Sequence, residues 1–152
     1  MVREPFPVSI DWGTMLGLPP ALIFFTGALL IVLIRGRFQD GARKVVMVLT
    51  PLIGLWNLTS LVPGEAWEYM IFDLDLSLVR VDRLSLLFGL LFHVGALLGV
   101  IYALRVKDPV QQIAALAYAG SALGAVFAGD YLTLFFFWEA MAVSSAFLVW
   151  AG

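Results

Sequence analysis

Cysteine is absent from this chain and histidine occurs once. Without a thiol there is no disulfide, no thiolate nucleophile, no iron–sulfur cluster and no thiol-bound zinc. A lone imidazole outside any His–x–x–Glu-type pairing gives a metal site almost nothing to be built from. Charge is scarce as well: 13% of the 152 residues are Asp, Glu, Lys or Arg, and the net charge is -2. Neither a basic patch nor a phosphate-binding glycine motif occurs, so nucleic acid is not an expected partner. No nucleophile–base pair or cofactor motif is found either, which argues against an enzyme of the soluble type and for no cofactor. The N-terminal stretch "MVREPFPVSIDWGTMLG" lacks a short apolar core followed by a small-residue cleavage site, so it does not read as a signal peptide.

What is abundant is apolar surface. Hydrophobic residues make up 62% of the chain, against about 45–50% in soluble domains. A soluble fold of this length could not hide that much, so lipid must be the solvent. About 20 apolar residues cross a bilayer as a helix, and on that measure there are five segments: about 18–34, 45–62, 84–104, 110–128 and 131–151. The expected fold is an all-α integral membrane protein forming a single membrane domain over 1–152. Pro19 and Pro20 stand near the start of the first segment, where a missing N–H does little harm. Pro51 falls inside the second, where a kink is expected unless neighbours satisfy the freed carbonyl.

Between the second and third segments, Phe72, Leu74, Leu76 and Leu78 alternate with Asp73, Asp75 and Ser77. That period of two predicts a short β-hairpin at the membrane surface, one face packed and one wet. Arg35, Arg37, Arg43 and Lys44 are placed in the loop after the first segment, and Arg105 and Lys107 in the loop after the third. Six of the nine positive charges therefore share one side, which the positive-inside rule makes cytoplasmic. The N-terminus and the hairpin then face outward and the C-terminus inward. Glycines 95 and 99, and the series Gly120, Gly124 and Ala128, form small-residue stripes that allow helices to approach closely.

Only two potentially ionisable side chains fall deep in an expected span, Glu139 and His93. Glu139 lies about 12 Å down the fifth helix at 1.5 Å per residue, close to the middle of a hydrocarbon core of ~30 Å. A carboxylate there costs at least ~2.5–3.5 kcal/mol, so it must be paired, hydrated or protonated. A carboxyl balanced between burial and a basic partner can take and release a proton; the alternative is a protonated structural donor. Its neighbours one turn away, Phe135, Phe136, Ala142 and Val143, offer no partner. His93 is either a relay group or a neutral imidazole bonding a backbone carbonyl. Ser144 and Ser145 either join a proton path or bond back to the carbonyl a turn earlier. Asp130 reads as a cap of the fifth helix, and Asp82 and Arg83 as a local pair or surface anchor.

The blocks "VDRLSLLFGLLF" and "YAGSALGAVFAGDYLTLFFFWEAMAVSS" together resemble a known family. The chain is similar to the N-terminal third of the antiporter-like membrane subunits: the D component of multisubunit Mrp-type cation/proton antiporters and its relatives in complex I and membrane-bound hydrogenases. The resemblance rests on "VD-x-LS" before the third helix and "GD-x-L-x(4)-FWE-x-M-x(3)-S" in the fifth. It implies about fourteen helices in the whole protein of this type, and a bacterial or archaeal cytoplasmic membrane. It also implies that Glu139 pairs with a lysine on a later, broken helix to move protons, with or without monovalent cations. Inorganic-carbon uptake systems use the same type of protein, and a non-transporting structural subunit is the alternative of another class. No lysine lies in any of the five spans. The expectation is therefore a naturally split subunit or a fragment, with other membrane subunits supplying the remaining helices and the lysine.

Overall fold

The computed structural model describes residues 17–34, 39–64, 66–71 and 74–152, with 66–71 and 74–75 described by backbone alone. Five helices and one hairpin follow in order: α1 (Pro20–Leu33), α2 (Gln39–Ser60), β1 (Ala66–Ile71), β2 (Leu74–Arg80), α3 (Arg83–Ala103), α4 (Pro109–Phe127) and α5 (Tyr131–Ala151). Among the described residues, α3, α4 and α5 are long and apolar enough to cross a membrane, and α1 is a shorter apolar helix of 14 residues.

Four of the five helix starts have a chemical reason among the described residues. Pro20 opens α1 and Pro109 opens α4, positions where the ring costs no hydrogen bond. Asp82, Asp108 and Asp130 stand at the N-caps of α3, α4 and α5, and each carboxylate accepts from a backbone N–H of the first turn. At α3 the cap is reciprocal: Ser85 N–H donates to Asp82 at 2.6 Å, and Asp82 N–H donates to the Ser85 hydroxyl at 2.8 Å. This is a capping box built with serine in place of the usual Glu or Gln. Asp82 is thus a helix cap rather than an ion-pair partner of Arg83.

One boundary differs clearly from expectation. The second helix starts at Gln39, so Arg43 and Lys44 lie within its first two turns and not in the preceding loop. Hydropathy marks where a helix becomes apolar, whereas the backbone goes on hydrogen-bonding beyond that point. Arg43 is held there by the Ile34 carbonyl at 3.2 Å. The helix runs unbroken through buried Pro51, which leaves the Met47 carbonyl without its usual intrahelical donor. Arg3, Arg35, Arg37, Glu65, Phe72 and Asp73 lie outside the described residues.

The hairpin forms where the alternation predicts it, antiparallel, with a register shift at Trp67/Glu68. Its expected wet face is corrected at Ser77. The backbone there bonds to the α4–α5 turn, Gly129 N–H donating to the Ser77 carbonyl at 2.9 Å, and the Ser77 hydroxyl is buried. Val79, two residues on and hence on the same face, is also buried. The alternation reports polarity; it cannot know that the turn before α5 closes over that side.

Helix α4 is the centre of the bundle, packed against α1, α3 and α5. Its small-residue stripe serves two neighbours. A Cβ on Gly120 would stand 2.9 Å from Phe24 Cβ on α1, and one on Gly124 would overlap the Phe137 ring on α5. Phe24, Ile31, Met47, Leu116, Leu123 and Phe127 form the core between these helices. Helix α2 completes the packing against α1 and α3, with Gly27 of α1 against Thr50. Asn57 ties α2 to the chain entering α1, accepting from Leu18 N–H at 2.8 Å and donating to the Leu18 carbonyl at 2.7 Å.

Candidate functional site

Helix α5 turns its Thr133, Phe137 and Ser144 inward. Glu139 lies two residues past Phe137, about 200° around the helix at 3.6 residues per turn, and is exposed on the outer face. Phe135, Ala142, Val143 and Ala146 share that exposed side. The two alanines, three and seven residues after Glu139, leave room for another helix backbone to come close beside the carboxylate. No ion pair or hydrogen bond from the described residues reaches Glu139. The side chain that the sequence singled out thus faces whatever surrounds this bundle.

The helix start fixes the depth and rotation of that glutamate. Asp130 takes Thr133 N–H at 2.8 Å on one oxygen. Its other oxygen takes the Thr133 hydroxyl at 2.7 Å and Ser77 N–H at 2.8 Å. One carboxylate therefore caps α5 and ties it to β2. Partial burial pushes the Asp130 carboxyl up, but the N–H and hydroxyl of Thr133 and the Ser77 N–H outweigh it and hold the group below the usual aspartate range. At Asp82 the Ser85 N–H acts first and has the same net effect. Gly129 fits because a Cβ there would overlap the Ser77 side chain.

His93 sits elsewhere, fully buried where α3 meets α1 and α2. Its Nδ1 is 2.7 Å from the Gly89 carbonyl. A carbonyl only accepts, so Nδ1 carries a proton and donates it, and in the neutral ring Nε2 is the bare nitrogen. Nε2 has no partner among the described residues. Gly54 of α2 lies against it, since a Cβ there would come within 2.5 Å of Nε2, and Phe24 packs edge-on with centroids 5.5 Å apart. Helix α4 packs against both α3 and α5, so His93 and Glu139 are on separate sides of the bundle.

Ser144 donates to the Ala140 carbonyl at 2.7 Å, and Ser145 to the Ala142 carbonyl at 2.8 Å. Both hydroxyl protons are committed to their own helix. Three further buried polar groups are not signalled by the sequence: Thr50, Ser121 and Gln112. Thr50 and Ser121 bond back to carbonyls four residues earlier. Gln112 donates to the Val106 carbonyl at 2.8 Å, and its own oxygen has no partner among the described residues. Nothing in their sequence neighbourhood separates them from exposed polar residues near helix ends.

A chain in the structure of the membrane-bound sulfane sulfur reductase, an archaeal respiratory membrane complex, matches this fold with a TM-score of 0.71 and 28% identity. The chain is similar to part of a respiratory membrane complex. The match takes in 84% of this chain and 21% of that chain, so the protein spans about a fifth of the length of its structural relative. Comparison with models of protein families and with curated proteins finds no match. The match and the three apolar helices among the described residues make this a multi-pass membrane protein.

The geometry also explains the two motifs that carried the family resemblance. In "VDRLS" the Asp and Ser are the capping box of α3. In "GDYLT" the Gly admits Ser77, and the Asp and Thr cap α5. Both are devices for starting a helix. Glu139 has no such structural duty among the described residues.

Proposed function

We propose that this chain is a membrane subunit of a complex I-like respiratory assembly, and that Glu139 is its intramembrane proton-handling residue. The observation that carries the proposal is the setting of Glu139: about 12 Å along a membrane-length helix, outward-facing beside small residues and unpaired by the described part of its own chain. A carboxylate in that position is tolerated only with a partner, water or a proton. The rest of the assembly supplies a basic side chain on a helix that seats against Ala142 and Ala146, and the pair passes protons through the membrane centre. The cytoplasmic ends are those of the α1–α2 turn and the α3–α4 turn, with Lys44 in the first turns of α2 and Arg105 and Lys107 after α3.

His93 is the second protonatable group of the proposal. Its Nε2 has no partner among the described residues and faces Gly54 of α2, where only a glycine leaves it room. Ser144 and Ser145 join the path only by giving up their carbonyls.

The test is Glu139→Gln in the assembled complex, followed by proton uptake into sealed vesicles driven by the complex's own electron donor. Assembly is retained and proton uptake falls to background, while Glu139→Asp retains part of it. Undiminished uptake by the Gln variant overturns the proposal. An antiporter of the Mrp type, the other reading of the resemblance, is distinguished in the same vesicles: it needs no electron donor and responds to an imposed sodium gradient.

A further inference from the structure

Of the three glycines of α3, Gly89 packs against Phe127 of α4, but Gly95 and Gly99 meet no helix among the described residues. A Cβ on Gly95 or Gly99 would find nothing within 4 Å, whereas those on Gly120 and Gly124 would strike α1 and α5. These two glycines instead floor a groove of about 570 Å³ between α3 and α4. Met47, Ala103, Leu116 and Ala119 are among its walls, and Tyr118 alone in the lining carries a polar side-chain group. The glycine-floored part from Gly95 to Ala103 extends about 12 Å at 1.5 Å per residue, comparable with one leaflet of a hydrocarbon core of ~30 Å.

One end of this groove is cationic. Ala103 ends both α3 and the groove, and Arg105 and Lys107 follow it directly, both exposed. Lys44 precedes Met47 by three residues, so it stands on the same face of α2, one turn nearer that end. Competing acids are few. Asp108 is engaged as the cap of α4, accepting from Val110 N–H at 3.0 Å, and Asp40 lies a turn before Lys44 at the exposed start of α2. A slot that is apolar along its length and positive at its mouth has the polarity of one ligand class, an amphiphile with a hydrocarbon chain and an anionic head.

We propose that the α3–α4 groove binds an anionic phospholipid, its hydrocarbon chain lying over Gly95 and Gly99 and its phosphate held by Lys44, Arg105 and Lys107. The site is independent of Glu139, which lies on the outer face of α5. It explains why α3 keeps two glycines where no helix presses on it: a larger side chain would fill the slot.

The test uses the complex purified from its own membrane in mild detergent and examined by native mass spectrometry. Phosphatidylglycerol or phosphatidylcholine is added in graded amounts. Wild type retains phosphatidylglycerol with at least a roughly tenfold preference, in line with three basic groups near one head group. Replacing Lys44, Arg105 and Lys107 together by Gln removes the preference. Gly99→Leu, which has open space for its side chain, lowers retention of both lipids. Equal retention of the two lipids by wild type overturns the proposal. So does unchanged retention by Gly99→Leu, or loss of a companion subunit from that variant with lipid retention intact, which would make the groove the seat of a helix. The triple Gln variant alters only groups near helix ends, so it tests the head-group site even where Gly99→Leu assembles poorly.

Discussion

Replacing Asp130 tests whether one side chain both starts α5 and fastens it to β2. In Asp130→Ala the cap is lost, worth about 1 kcal/mol. The part-buried Ser77 N–H loses its acceptor, which adds about 1–3 kcal/mol. The sum, about 2–4 kcal/mol, corresponds to a fall in Tm of roughly 5–15 °C for a chain of this length. Asp130→Asn separates the two roles. Its single carbonyl oxygen still accepts Thr133 N–H, and Asn caps as well as Asp. Its amide nitrogen, a donor, cannot accept the Ser77 N–H or the Thr133 hydroxyl that the second carboxylate oxygen takes. The Asn variant is therefore expected between wild type and Ala. Unfolding followed by tryptophan fluorescence in detergent gives the ranking, and hydrogen exchange at the Ser77 amide localises the effect. Asn matching wild type with Ser77 still protected, or Asn matching Ala, would refute the division of labour.

The same carboxylate predicts a pH dependence. The folded Asp130 carboxyl lies below its ordinary value, so its contribution is complete above the unfolded value of about 3.9. It is lost as pH falls through the lower folded value. Tm of wild type should drop toward that of Asp130→Asn in this acidic window, with no convergence near neutrality. Gly129→Ala pushes a methyl into Ser77 and is expected to destabilise by about 1–3 kcal/mol, again with exchange rising at Ser77. Asn57→Ala removes both bonds to the Leu18 backbone and should lower stability by about 1–3 kcal/mol without changing the fold of α3 to α5. Gly54→Ala forces His93 out of its niche; a loss of at least about 1 kcal/mol is expected, and no loss would mean that α2 and α3 are not closely seated there.

Helix positions are legible because a membrane solvent demands long apolar runs, and Glu139 stands out because charge within such a run is rare. Asp130 as a cap is legible from its place before an apolar run. Its bond to Ser77 is not, since the two residues are 53 positions apart and nothing local to either announces the other. The same holds for His93. Its helix is evident, but the neighbours that bury it, Phe24 and Gly54, come from two other helices. The small-residue stripes show the limit of pattern reasoning most plainly. Gly120 and Gly124 meet helices and Gly95 and Gly99 face a groove, although the spacing is four in both. Spacing says that a backbone is bare; it does not say what approaches it. Hydropathy misplaces the start of α2 for a related reason, because Arg43 and Lys44 look like loop residues on that scale and yet sit within hydrogen-bonded helix.

The knot of bonds at Asp130 gives the hairpin mechanical leverage. Strand β2 and the first turn of α5 are joined through one carboxylate and through the Gly129–Ser77 bond. A helix is stiff over two or three turns, so a twist applied at its first turn arrives at Glu139 nearly undiminished. A pull on the hairpin can therefore turn the glutamate without touching it.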